Sequence, residues 1–302
     1  MNLNTNAGRL GDRPVIVALH ASSSSGGQWA PLASYSAPHV DVVAADLHGH
    51  GLGPASPSAG DAIFAEDIAR IGKLCDRIGG DVHLVGHSYG GATALRVALA
   101  MPERIRSLTV YEPVLFSVLH ERYGRGRPGA EIWEVAHSVR RHVRAGMSDI
   151  AARIFIDYWS GAGTWDSLPP SRQMGHASRM AVIGAQFDSL VRDSVKLEQF
   201  RALGIPVLCI VGRDTRAPVI RIAELLAGTL PHATLERIPG LAHMGPVTHP
   251  VAFAERVVDF VRRVKRWSRW SARPRSRHVL FTCDTRNRRQ VAYNRLTFAR
   301  IR

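Results

Sequence analysis

Val82-His83-Leu84-Val85-Gly86-His87-Ser88-Tyr89-Gly90, followed at once by Gly91-Ala92-Thr93-Ala94-Leu95-Arg96-Val97-Ala98-Leu99-Ala100, is the stretch that decides the fold. The first four residues read as a buried strand, and the run after Gly90 reads as a helix with a small-residue face. A Gly-x-Ser-x-Gly pentapeptide between a strand and a helix is a nucleophile elbow, a turn so tight that its serine is strained and its hydroxyl is thrust outward. Glycine is needed two residues either side, because a side chain there would strike the neighbouring strand or helix.

Working outward, apolar runs and helical patterns alternate. Strands are expected near residues 14–20, 40–46, 82–88, 107–112, 206–212 and 233–238. Helices are expected near 61–79, 88–101, 216–230 and 249–265. The alternation predicts an α/β fold: a mostly parallel sheet of about six strands with helices on both faces. Between Pro113 and Gly204 the strands stop and helical patterns take over, for example Ala130-Glu131-Ile132-Trp133-Glu134-Val135-Ala136. The expected organisation is therefore a core of residues 1–114 and 201–267, a helical cap over 115–200, and a basic tail over 268–302. The cap aromatics Trp133, Phe155, Tyr158, Trp159 and Trp165 either pack the cap's own core or line an apolar pocket.

A serine hydroxyl needs a base, and the base needs a third group to hold its tautomer. After Ser88, the strand Pro206 to Gly212 ends in Arg213-Asp214-Thr215, which puts Asp214 just past a strand's carboxyl end. His243 follows in the loop Pro239-Gly240-Leu241-Ala242-His243-Met244-Gly245-Pro246. Ser88, Asp214 and His243 thus fall in the chain order that such an elbow predicts for nucleophile, acid and base. Two backbone N–H donors should face the oxyanion: that of Tyr89, at a helix start, and one from the loop His20-Ala21-Ser22-Ser23-Ser24-Ser25-Gly26-Gly27, where Ser22 is the expected donor.

Over roughly residues 14 to 262 the chain resembles the α/β-hydrolase fold superfamily, in its compact soluble esterase-like and haloperoxidase-like branch. The resemblance is carried by the elbow, by Leu19-His20, by Ala45-Asp46-Leu47-His48-Gly49-His50-Gly51 and by the His243 loop. It implies Ser88 as nucleophile, His243 as base and Asp214 as acid. Three positions depart from the family pattern: Ala21 and Ala242 stand where glycine is usual, and Asp214 follows Gly212 by two residues where three is common. A second carboxylate, Glu112, ends the strand Ser107 to Tyr111. Haloalkane dehalogenases place the acid at that strand end, so Glu112 is the alternative acid.

The resemblance implies a cofactor-free serine hydrolase acting on a small, largely apolar ester or related acyl substrate. It leaves open perhydrolase, carbon–carbon bond hydrolase or lyase chemistry on the same triad, and a non-catalytic ligand receptor.

Composition sets further bounds. No apolar stretch approaches the roughly 20 residues of a membrane helix, and Met1 to Arg13 lack an apolar signal core, so a cytoplasmic location is expected. Cys75, Cys209 and Cys283 are scattered and odd in number, which argues against a disulfide framework or a metal site. No phosphate-binding glycine loop appears, so no cofactor is expected. Of the net charge of +14, nearly all lies between residues 262 and 302, where 14 Arg and Lys face the single acid Asp284. That tail is expected to be a solvated appendage, or an arm that holds polyanions or an anionic membrane surface through its arginines.

Overall fold

The computed structural model describes residues 13–271, apart from 38, 56–61, 80–81, 125 and 127, with only the backbone described over 265–271. Its centre is a wholly parallel six-stranded sheet of β1 (Val15–Leu19), β2 (Asp41–Ala45), β3 (Val82–His87), β4 (Ile105–Tyr111), β5 (Val207–Gly212) and β6 (Ala233–Ile238), in the spatial order β2-β1-β3-β4-β5-β6. Strand, helix and order agree with the alternation read from the sequence.

The helices are α1 (Ala30–Ser36), α2 (Ile63–Ile78), α3 (Tyr89–Ala100), α4 (Phe116–Tyr123), α5 (Ala130–Arg144), α6 (Ser148–Ser160), α7 (Thr164–Ser167), α8 (Pro170–Ala177), α9 (Met180–Arg192), α10 (Ala217–Thr229), α11 (Gly245–Thr248) and α12 (Pro250–Ser271).

The two-residue period of a strand divides its side chains between two cores. In β1, Val17 and Leu19 join Leu84, Leu108, Val110 and Cys209 beneath α2, α3 and α10. Ile16 and Ala18 face the other way, with Leu208 and Ile210, onto Trp29 and Leu32 beside α1 and Phe253, Val257 and Val261 of α12. β1, β3 and β5 are buried along their whole length, whereas the edge strands β2 and β6 are only partly buried. A fully buried Val, Leu or Ile contributes roughly 1.5–3 kcal/mol relative to exposure, so the two cores outweigh the cost of sealing polar groups at the strand ends.

Helix ends follow local chemistry. α2 stops at Gly79, whose φ of 70° is the left-handed conformation that closes a helix, its N–H reaching the Cys75 carbonyl. α12 runs past the expected end at 265 to Ser271, since no proline or glycine interrupts 262–271 before Pro274.

Six helices, α4 to α9, fill the chain between β4 and β5, where the sequence places a cap. The tail over 272–302 and the N-terminal residues 1–12 lie outside the described residues. Among the described residues no helix is long and apolar enough to cross a membrane.

Candidate active site

The site stands at the carboxyl ends of β3, β4 and β5. Ser88 links β3 to α3 with φ 55° and ψ −117°, a conformation that L-residues rarely adopt. The turn closes because Gly86 and Gly90 lack side chains: a Cβ on Gly86 would run into the Gly90 carbonyl, and one on Gly90 into the Leu19 carbonyl. The Ser88 N–H donates to the Tyr111 carbonyl at 3.0 Å, which ties the elbow to the end of β4.

The Ser88 hydroxyl donates to His243 Nε2 at 3.0 Å. His243 Nδ1 donates in turn to Glu112 Oε2 at 2.8 Å. All three residues are buried. Glu112 also accepts from the Gly212 N–H through Oε1 at 2.8 Å and from the Thr215 hydroxyl through Oε2 at 2.7 Å. Three donors converge on one carboxylate and fix its orientation. Its φ of 44° is a second strained backbone position, beside that of Ser88.

Asp214, expected as the acid, does not meet His243. It is exposed, and its backbone N–H is spent on the Leu241 carbonyl at 3.0 Å. The physical reason lies in its spacing: two residues past Gly212, its side chain turns outward. Position 215, three past Gly212, turns inward, and it carries a threonine whose hydroxyl supports the neighbouring strand's carboxylate. The geometry thus fits the alternative, Glu112.

The loop bearing His243 is pinned from below. His87 Nε2 donates to the His243 carbonyl at 2.8 Å, and the Tyr111 hydroxyl donates to the Ala242 carbonyl at 2.7 Å. Gln28 bridges two parts of the site: its Oε1 accepts from the Ala21 N–H at 3.2 Å, and its Nε2 donates to His87 Nδ1 at 3.1 Å. Ser22 lines the same cavity as Ser88, and its hydroxyl donates to Gln186 Oε1 on α9 at 2.6 Å. Tyr89 opens α3, and its buried side chain donates to Asp67 Oδ2 at 2.9 Å. Gln28, His87, Thr215 and Gln186 are residues that sequence reading passed over. Only Gln186 left a local trace, as a polar residue within the apolar stripe Ile183, Phe187 and Leu190.

Helices from the insertion close the site. The Trp159 indole of α6 stacks on the His243 imidazole, with ring centroids 3.9 Å apart. Phe155 and Trp159 of α6, Ile183, Phe187 and Leu190 of α9, and Val114 and Phe116 line a cavity of about 10 Å³ that reaches Ser88. Trp133 and Trp165 pack instead into the apolar core that the insertion helices share with one face of the sheet. Among the described residues no group of three His, Cys, Asp or Glu is arranged to hold a metal ion.

Three more histidines are held neutral beneath these loops. His20 is fully buried, donating from Nδ1 to the Ala21 carbonyl at 2.7 Å and accepting the Leu47 N–H at Nε2. Burial first, then the neighbouring His50, pushes its pKa down to about 4. Burial likewise lowers His50, and burial with His243 nearby lowers His87 well below the ordinary value. An unfolded histidine takes up a proton near pH 6.5, whereas the folded His20 does not until about pH 4. The unfolded state therefore binds more protons across that window, and stability falls as the pH drops through it, by on the order of 3 kcal/mol for His20 alone. Thermal melts should show Tm falling from pH 6.5 to 4, with a shallower slope in His20→Gln. A variant slope equal to the wild type would remove His20 from the account.

A model of the alpha/beta hydrolase family matches residues 16–256. A pimeloyl-[acyl-carrier protein] methyl ester esterase of Yersinia enterocolitica is 25% identical over 254 residues, covering 82% of this chain and 93% of the relative. A lipase of Mycobacterium tuberculosis is 34% identical over 102 residues, 33% of this chain and 37% of the relative. Among solved structures, an enol-lactonase from Burkholderia xenovorans superposes with a TM-score of 0.66 at 21% identity, covering 84% of this chain and 93% of that one.

Proposed function

The chain is an enzyme of the alpha/beta hydrolase family, and from that premise we propose that it is a cofactor-free serine esterase with the triad Ser88, His243 and Glu112. The observation that carries this reading is the continuous hydrogen-bond chain from the Ser88 hydroxyl through His243 to Glu112, set at an apolar cavity.

In this reading Ser88 Oγ attacks the ester carbonyl carbon while its proton passes to His243 Nε2. Glu112 keeps the Nδ1 proton in place and offsets the charge of the imidazolium. The Tyr89 and Ser22 N–H groups receive the oxyanion; that of Tyr89 is unpaired within its own helix because it opens α3. The tetrahedral intermediate collapses, the C–O bond to the leaving alcohol breaks, and His243 Nε2 gives that oxygen the proton. Water, deprotonated by the same nitrogen, then attacks the acyl-Ser88 carbonyl and releases the acid, returning the proton to Ser88.

The lining is apolar and, among the described residues, holds no charged side chain, which favours an uncharged, largely apolar acyl group. The cavity has room for about one water-sized group, so an acyl chain enters by displacing Trp159 or its helix. A relative that acts on a methyl ester supports ester chemistry.

The test joins a fluorophosphonate probe to p-nitrophenyl esters of increasing chain length. We expect one label, mapped to the peptide holding Ser88, and turnover of short and medium acyl chains. A folded protein that neither labels nor turns over any of the esters would overturn the reading.

A further inference from the structure

Gln186 lies on α9 among Ile183, Phe187 and Leu190, and all four line the cavity that reaches Ser88. It is 1% exposed. The Ser22 hydroxyl donates to its Oε1 at 2.6 Å. The other end, Nε2, is buried and has no hydrogen-bond partner among the described residues. The helix cannot easily carry this donor to solvent: one turn on, the Ser189 hydroxyl accepts the Phe64 N–H at 3.2 Å and ties α9 to α2.

A buried amide N–H without an acceptor is costly, whereas leucine or methionine on the same apolar stripe would pack without that cost. A role in holding the Ser22 loop accounts for Oε1 and leaves Nε2 unexplained. We propose that Gln186 is a specificity-determining residue, whose Nε2 donates to a neutral oxygen carried within the acyl chain of the substrate. The oxygen is neutral because no cationic side chain lines the cavity, and a carboxylate there would be buried without a counter-charge. A ketone or ether oxygen fits. The inference rests on the esterase reading and narrows it, from an apolar ester to an acyl chain that is apolar save for one acceptor.

The experiment compares p-nitrophenyl hexanoate with hexanoates bearing a ketone at each inner chain position, in wild type, Gln186→Met and Gln186→Leu. The readout is the ratio of kcat/KM, keto over alkyl, taken relative to wild type so that intrinsic ester reactivity cancels. For at least one ketone position the ratio should fall about tenfold in Gln186→Met, as expected for loss of one neutral hydrogen bond. Gln186→Leu serves if the methionine variant does not fold, with thermal melts to show which variants do. Equal ratios in wild type and either folded Gln186 variant, at every ketone position, would reduce Gln186 to a support for the Ser22 loop. Wild type that turns over the alkyl ester but shows no Gln186-dependent ratio sinks this inference and leaves the esterase reading standing. Wild type that turns over neither ester sinks both.

Discussion

Ser88→Ala should lose five to six orders of magnitude in ester turnover, roughly the loss seen when a triad nucleophile is removed, while keeping its fold. The substitution deletes one oxygen that bonds His243 Nε2 at 3.0 Å and leaves the elbow's glycines untouched. Alanine meets the same positive φ as serine, so the backbone cost does not change. His243→Ala should be nearly as severe, and the double variant hardly worse than either, because the members of a triad act as a unit. Steady-state kinetics with a p-nitrophenyl ester, beside circular dichroism and melts, measures this. Wild-type turnover by a folded Ser88→Ala protein would end the esterase proposal.

The second large effect separates the two carboxylates. Glu112→Gln should cost about four orders of magnitude in kcat, as loss of the orienting charge does in a well-studied triad. Asp214→Asn should change turnover by less than about twofold, the scale of an exposed substitution away from the reacting groups. An amide at 112 offers one acceptor oxygen where three donors converge, from His243, Gly212 and Thr215. At least one of them would face an NH₂ group, so the variant should also lose about 1–3 kcal/mol of stability. Paired kinetics and melts of both variants decide the matter, and greater damage from Asp214→Asn would return the acid to the loop after β5.

That division between acids also marks where reading the chain stops. The central strands were legible because burial on both faces writes them largely as apolar runs, the edge strands β2 and β6 from their place in the alternation, and Ser88 because its turn demands glycine at fixed places. His243 was legible from a local Gly/Pro loop after the last strand. The acid was not, because two adjacent strand ends both carry a carboxylate. Which side chain points at the imidazole depends on a single residue of loop length, expressed only in three dimensions. The bond from Ser22 to Gln186 spans 164 residues and has no local periodicity to announce it. The part-buried bridge from Ala21 through Gln28 to His87 is hidden for the same reason.

The hydrogen bond between Thr215 and Glu112 has an evolutionary consequence. One imidazole can be served from either of two neighbouring strands, and here the unemployed position is already aimed at the site. A lineage can therefore transfer the carboxylate sideways, by Thr215→Asp and then loss of Glu112, without relocating nucleophile or base. An intermediate with two carboxylates side by side would set like charges against each other, which disfavours ionising both. At position 215 this chain carries a hydroxyl, which supports the carboxylate of the neighbouring strand without setting a second charge beside it.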